Sequence, residues 1–311
     1  MKKYTLTFLT ICFITITSFA QNGLITLENE YYPDGSIAIN ASSNANCKYT
    51  IKLNFTSLSG YSNNRGGNPY ITTISAGRSQ VTKLSLDKNA GFKSLNYNYS
   101  FYPGVSFRKA PNNYAHYILP IAAGKTTFVT PVSKLSTVLD QQSDSYSFAQ
   151  GFKYELGDTI FASRAGIVYN INNQLKQGEG GNTVYTSERN HIYIQHKDGT
   201  LAYYTILAPI NCLVQNGDFV TPGQPIAVFN VASQRYTMLF SVYYLDEEKI
   251  RTDNIREMLA ALPVYYYLNE NAPSTNLAEN QKYEAVKSNE IIGEELSNRE
   301  KKKIVIVIVF F

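Results

Sequence analysis

The chain has 311 residues, a formal net charge of +4, 25 Tyr, 16 Phe and no Trp. This length suits two domains of ordinary size, and a charge so near balance gives no reason to expect a nucleic acid partner. Aromatic and β-branched runs separated by clusters of Asn, Ser and Thr are typical of an all-β protein.

Residues 1–20 have the pattern of a secretory signal peptide. Lys2-Lys3 form a basic start, an apolar run extends from about Phe8 to Ile16, and Ser18 and Ala20 stand at the −3 and −1 positions of a cleavage site. The run is shorter than the roughly 20 residues of a membrane-spanning helix, which argues against an uncleaved anchor. We expect a mature chain with no membrane span that is secreted, periplasmic or at the cell surface.

Residues 21–105 are predicted to form an N-terminal β-sandwich, because short apolar runs alternate with turn sequences such as Pro33-Asp34-Gly35. The predicted strands are Ser36–Ala41, Tyr49–Leu58, Tyr70–Ser75, Val81–Leu86 and Leu95–Tyr102. In the last of these, Tyr97, Tyr99 and Phe101 share one face. Core packing is favoured for this row over a carbohydrate platform.

Residues 106–132 are interpreted as a linker that contains a short apolar strand, Tyr117–Pro120. A second β domain is predicted over residues 133–245. Cys47 and Cys212, one in each half of the chain, either pair as a disulfide or remain free thiols, because two cysteines do not make a disulfide framework.

Residues 246–290 are predicted to hold one packing helix, Asp246–Leu262, followed by terminal strands. Its apolar positions fall at i, i+3, i+4 and i+7, and they are Ile255, Met258, Leu259 and Leu262. Thr252 or Asp253 could cap its start, and Pro263 ends it.

Residues 291–311 form a tail that is first basic and then apolar, ending in Ile304–Phe311. The apolar end has the composition of a strand that could add to a sheet edge in this chain or in another. A terminal strand without that role remains the alternative.

The second domain carries its motifs in a recognisable order. These are Gly157-Asp158-Thr159-Ile160, Gly166-Ile167-Val168, His196-Lys197-Asp198-Gly199-Thr200, Tyr203-Tyr204-Thr205-Ile206-Leu207, Gly217-Asp218, Gly223-Gln224 and Leu239-Phe240-Ser241-Val242. The succession closely resembles the catalytic domain of lysostaphin/LytM-type zinc metallopeptidases. The resemblance implies an antiparallel duplicated hybrid motif, related to a barrel-sandwich, with hairpin turns at Asp198-Gly199 and Gly217-Asp218 that need residues tolerant of positive φ.

The resemblance also implies where a zinc site should stand, and there the sequence departs from the family. The family's His-x-His strand matches Tyr236–Phe240, so Thr237 and Leu239 replace both imidazoles. The catalytic His that follows Tyr204 is replaced by Ile206, and the ligand Asp falls near Gly151. A hydrolytic zinc site needs about three His, Asp or Glu ligands. We therefore expect a degenerate site with no catalytic residue and no bound metal.

The remaining donors do not rebuild a site. The chain has three His; His116 lies in the linker, and His191 and His196 are spaced so that their side chains point to opposite faces of a strand. Asp140 and Asp144 alone would make a weak oxygen-only site.

Three functions remain open from the sequence. In the first, the chain is a pseudoenzyme whose old groove, between Ile206 and Leu239 and lined by Tyr193, Tyr204 and Tyr236, binds a peptidoglycan peptide or an envelope protein. In the second, it is an active zinc peptidoglycan endopeptidase whose ligands lie elsewhere. In the third, it is a structural component of a cell-surface assembly.

Overall fold

The computed structural model describes residues 23–63, 66–112, 115–130, 148–174, 189–206, 208–229, 236–254, 257–269, 276–286, 289–297 and 301. The expected signal peptide, the acidic pair Asp140 and Asp144, and the apolar end Ile304–Phe311 lie outside these residues. Within the described ranges no helix is long and apolar enough to cross a membrane.

The first seven strands form the N-terminal half. They are β1 (Ile25–Tyr31), β2 (Ile37–Ser43), β3 (Tyr49–Ser59), β4 (Tyr61–Ser62), β5 (Tyr70–Ile74), β6 (Gly77–Leu86) and β7 (Ser94–Pro103). Their sheets have the orders β1-β2-β6-β4 and β5-β3-β7, with antiparallel pairing throughout. Apolar side chains from both sheets pack into one shared core, as in a β-sandwich.

The aromatic row of β7 packs against this core. Phe101 meets Tyr49 and Tyr97 meets Phe55 in edge-to-face contacts, with ring centroids 6.0 Å and 6.2 Å apart. Tyr99 is packed against the same cluster. Core packing therefore accounts for the row.

The strands that follow the sandwich are built into the second half. They are β8 (Ser106–Phe107), β9 (His116–Tyr117), β10 (Thr126–Thr130), β11 (Gln150–Tyr154), β12 (Thr159–Phe161), β13 (Gly166–Asn172), β14 (Asn190–Gln195), β15 (Leu201–Ile206), β16 (Ile210–Cys212), β17 (Phe219–Val220), β18 (Pro225–Phe229), β19 (Tyr236–Asp246), β20 (Leu259–Leu262), β21 (Tyr265–Tyr266) and β22 (Lys282–Glu284). The region read as a linker thus supplies three strands.

One large sheet dominates the second half, in the order β17-β13-β14-β15-β19-β11-β10-β22, with β8 and β20 also paired to β19. A three-stranded sheet, β12-β18-β16, and the pair β21-β9 complete it. The main core lies between these sheets. The chain is therefore all-β, as the sequence predicted.

Turn glycines connect these strands as their sequence indicated. Gly199 has φ 93° and Gly217 has φ 97°, a conformation that other residues rarely adopt. Cys47 and Cys212 are both free thiols.

The predicted helix Asp246–Leu262 is wrong in extent. A short helix, α1 (Glu247–Arg251), begins after Asp246, whose carboxylate accepts hydrogen bonds from the backbone of Glu248 and Lys249. Asp253, expected as a possible N-cap, instead follows the helix with φ 58°. Such left-handed residues commonly end helices. Residues 259–262, predicted as helical, form β20 and pair with β19. A second short helix, α2, spans Asn289–Gly293.

Candidate functional site

Three of the four expected zinc-site positions lie side by side on the large sheet. Leu239 of β19 stands opposite Gly151 of β11 and Thr205 of β15, and Thr237 stands opposite Lys153. Because side chains alternate between the two faces of a sheet, these five residues share one face. We call it the site face.

The centre of the site face is filled. Leu239 and Gly151 are buried, whereas Thr205 and Thr237 are half-buried. A Cβ atom at position 151 would lie 3.1 Å from the carbonyl oxygen of Thr130 and 3.4 Å from Cγ2 of Thr237. The first distance is tighter than ordinary packing, so an aspartate does not fit at 151 unless its neighbours shift.

The fourth position, Ile206, lies on the other face of the sheet. It stands opposite Met238, not opposite Thr237 or Leu239, and its fully buried side chain belongs to the main core. The structure therefore does not form the expected groove between Ile206 and Leu239. The reason is the strand period of two, which sends residues one step apart in register to opposite sides.

Tyr204 is also a core residue and does not line a groove. Its side chain is fully buried, and its hydroxyl accepts a hydrogen bond of 2.7 Å from the backbone N–H of Ser163. The backbone of Tyr236 stands opposite Tyr154, and its side chain lies outside the described part of the chain.

Tyr193 belongs to a row of aromatic rings on the site face. Its ring stacks on His191 with a centroid distance of 4.1 Å and on Tyr203 of the next strand at 3.7 Å, both at interplanar angles of 12°. Tyr203 in turn meets Tyr243 at 4.9 Å. We call these four residues the aromatic row. The first three are half-buried, so their edges remain accessible.

His191 and Tyr203 of the aromatic row are uncharged at neutral pH. Burial lowers the pKa of His191 and raises that of Tyr203. His191 Nε2 also lies 3.0 Å from the side-chain oxygen of Asn170. The row therefore offers flat apolar surface with polar edges, which suits contact with a sugar or peptide better than acid–base chemistry.

Residues 147–250 match the model of peptidase family M23. We call the second half of the molecule, which contains this match, the M23 domain. The resemblance to lysostaphin/LytM-type peptidases seen in the sequence is thereby confirmed. No curated protein matches the chain significantly.

Three solved structures are similar to this chain, and two of them are described as peptidases. One is described as an M23 peptidase from Pseudomonas aeruginosa, with 10% identity, 62% of this chain and 82% of that chain covered, and a TM-score of 0.27. Helicobacter pylori Csd3 has 11% identity, 92% and 84% coverage, and a TM-score of 0.27. A zinc-containing peptidase from Vibrio cholerae has 11% identity, 70% and 81% coverage, and a TM-score of 0.23. Because these TM-scores are low, the family assignment rests on residues 147–250.

The site face of the M23 domain does not fit the zinc ion that the family implies. Leu239 and Gly151 carry no donor atom, and Thr237 offers one neutral hydroxyl where a hydrolytic zinc needs imidazoles or carboxylates. The ammonium group of Lys153 on the same face would repel a cation. Across the described ranges, no three His, Cys, Asp or Glu side chains are grouped so as to hold a metal.

The M23 domain contains a buried polar cluster that the sequence did not indicate. Arg164, between β12 and β13, is 3% exposed. Its guanidinium donates to Asp198 at 2.8 Å, to the hydroxyl of Tyr117 at 3.2 Å and to Thr200 at 3.4 Å, and it is paired with Glu295. We call these five residues the Arg164 cluster.

His196 lies beside the Arg164 cluster, at the hairpin between β14 and β15. Its backbone N–H bonds to Thr200 and its Nδ1 lies 2.7 Å from the carbonyl oxygen of Ala165. Burial, and next the charge of Arg164, lower the pKa of His196 to about 3. The arginine that stands between two short apolar strands, in Ser163-Arg164-Ala165, is the sequence feature that could have pointed to this cluster.

Proposed function

We propose that this chain is an exported, non-catalytic homologue of the M23 peptidases that acts as a binding or regulatory module at the cell envelope. One observation carries the proposal. Gly151, Thr237 and Leu239 adjoin one another on the sheet where the family's zinc and catalytic groups are expected, and the space beside Gly151 is already occupied by Thr130. No set of ligands there could hold a zinc ion and the water bound to it.

The accessible part of the site face supports a binding role. The half-buried ring of His191 lies opposite Thr205 on the neighbouring strand, and the rings of Tyr193 and Tyr203 stack beside it. Stacked aromatic rings supply rigid contact area, and hydroxyls supply hydrogen bonds that fix orientation. These features suit a peptidoglycan peptide or a protein of the envelope.

Lys153 favours the peptide among these ligands. Its ammonium group lies 5.4 Å from the ring centroid of Phe128, on the face that also holds Thr237. A carboxylate of a stem peptide would find there a cation that the ring of Phe128 helps to position.

Retention on purified sacculi tests the proposal. We expect the mature protein to sediment with sacculi and the Tyr193→Ala variant to be retained at least several-fold less, because the variant interrupts the aromatic row. Tyr31→Ala is the matched control, since Tyr31 is 69% exposed on the N-terminal sandwich. The proposed binding role would be contradicted if the wild-type protein were not retained and cross-linking recovered no envelope protein.

Metal content separates this proposal from an active endopeptidase. We expect the purified protein to contain far less than one zinc per chain by elemental analysis, and to release no muropeptides from sacculi. Stoichiometric zinc together with muropeptide release would show that ligands lie elsewhere in the chain. Export is tested by the N-terminus of the secreted protein, which we expect at Gln21.

A further inference from the structure

The segment 289–297 packs on the M23 domain through contacts outside the main core. Ile291 contacts a small cluster with Ile118 and Tyr267, and Ile292 and Leu296 form another with Ala165. Two satellite clusters of this size provide little buried apolar area compared with the core. Among the described residues these two small clusters are the apolar contacts of the segment, and its polar contact with the Arg164 cluster adds to them.

That polar contact is a two-oxygen pair between Glu295 and Arg164. The Nε–H of Arg164 donates to Oε2 of Glu295 at 2.7 Å, and Nη2 donates to Oε1. One edge of a guanidinium matches the two oxygens of a carboxylate in this way, which makes the interaction both strong and specific. The Arg164 cluster thus already binds a carboxylate, one that the chain itself supplies.

Glu295 is the exchangeable member of the cluster. Asp198 also binds Arg164 at 2.8 Å, and Asp198 is held in its hairpin by the backbone N–H and the hydroxyl of Thr200. Removing the only partner of a buried charge is costly because the charge is left uncompensated. Here Asp198 still compensates Arg164 when Glu295 leaves, so the domain can stay folded with the position of Glu295 vacant.

His196 adds a buried hydrogen-bond acceptor beside the cluster. The residue is 2% exposed, and its Nε2 atom has no hydrogen-bond partner in the part of the chain that the structure describes. Its ring and the guanidinium of Arg164 both pack on the ring of Tyr117, at 5.7 Å and 5.5 Å. A buried nitrogen without a partner is uncommon in folded proteins. Because Nδ1 of His196 faces the carbonyl oxygen of Ala165 and therefore carries the proton, Nε2 is an acceptor, which suits an N–H of a peptide ligand and not its carboxylate.

We propose that the Arg164 cluster is a carboxylate-binding site, distinct from the site face. Glu295 of the segment 289–297 occupies the Arg164 cluster and blocks it to other ligands. Its external ligand is a peptide carboxylate flanked by apolar side chains. The apolar side chains of such a ligand would take the places of Ile292 and Leu296, which flank Glu295. The cluster lies at the ends of β14 and β15 remote from Thr237, so the proposal is independent of binding on the site face.

Acetate rescue of a Glu295→Ala variant tests the site. The substitution removes the atoms of an acetate ion and leaves Arg164 unchanged. We expect the thermal midpoint of the variant to fall, and roughly 100 mM acetate to recover at least half of that fall when chloride at equal ionic strength does not. Glu294→Ala is the matched control, because Glu294 contacts the partly exposed His116 at 3.2 Å and its removal should give no response to acetate.

A second measurement covers the case in which Glu295→Ala does not fold. The variant Glu295→Gln keeps the shape of the side chain, and we expect faster hydrogen exchange over residues 289–297 than in the wild type. The variant should also bind a labelled peptide of residues 289–297 at least tenfold more tightly than the wild type does. Equal peptide affinity for both proteins, or an acetate response as large in the Glu294 control, would overturn the proposal.

Discussion

Gln195 and Lys48 join the two halves of the molecule through a pair of hydrogen bonds. The backbone N–H of Lys48 donates to the side-chain oxygen of Gln195 at 2.8 Å, and the side-chain nitrogen of Gln195 donates to the carbonyl oxygen of Lys48 at 3.0 Å. Gln195 is 5% exposed. The end of β14 in the M23 domain is thereby fixed to the N-terminal sandwich next to the start of β3.

The variant Gln195→Ala should lower the free energy of unfolding by about 1–3 kcal/mol, because the backbone N–H and carbonyl of Lys48 lose their partner at once. Chemical denaturation measures this change. The control is Gln80→Ala, at an exposed position of β6, which should alter stability by less than about 0.5 kcal/mol. Equal effects of the two substitutions would show that the pair contributes nothing specific.

His196 should make the protein less stable in mild acid. Burial and Arg164 hold its folded pKa at about 3, below the ordinary value of 6.5. The unfolded chain therefore binds the extra proton first, and stability falls as the pH drops below 6.5. From pH 7 to pH 5 this single group should cost about 2 kcal/mol.

The variant His196→Gln isolates this contribution. Its free energy of unfolding should depend less steeply on pH between 7 and 5 than that of the wild type, with the difference near the same 2 kcal/mol. His191, whose pKa is also lowered by burial, contributes with the same sign in both proteins and cancels. Parallel pH profiles would mean that the pKa of His196 in the folded state lies close to its ordinary value.

Restoring one histidine should not restore a zinc site. We expect Leu239→His to bind no stoichiometric zinc, because neither Gly151 nor Thr237 supplies a further ligand. The substitution should also destabilise the protein by about 2–5 kcal/mol, since Leu239 is fully buried and the imidazole would lack a partner. Elemental analysis and denaturation measure the two effects. Thr237→His, at a half-buried position, is the control for the stability cost.

Adding a side chain at position 151 should lower the stability of the protein. Gly151→Ala places a methyl group 3.1 Å from the carbonyl oxygen of Thr130 and 3.2 Å from its Cβ, so we expect a loss of about 1–3 kcal/mol in stability. Gly91→Ala is the matched control, because no atom lies within 4 Å of the added methyl there. A Gly151 variant as stable as the control would show that β10 moves away easily, and would reopen room for an aspartate.

The sequence determined many of the strands and turns, and it predicted which residues stand at the positions of the family's ligands. The strands β2, β3, β5, β6 and β7 begin and end within a few residues of their predicted bounds, because period-two alternation and turn residues act locally. Gly199 and Gly217 were likewise identified from their motifs alone. Thr237 and Leu239 could be predicted to stand at the positions of two family histidines, because both lie inside a recognisable strand motif.

Only the tertiary structure decided which of these residues share a surface. Ile206 faces the core because its register to β19 is one step from that of Thr205, and register is a property of two strands together. Residues 259–262 have helical spacing yet form β20, because pairing with β19 outweighs local periodicity. The contacts of Arg164 with Glu295 and of Lys48 with Gln195 join residues 131 and 147 positions apart. No local pattern encodes contacts over such separations, and they arise only when the sheets assemble.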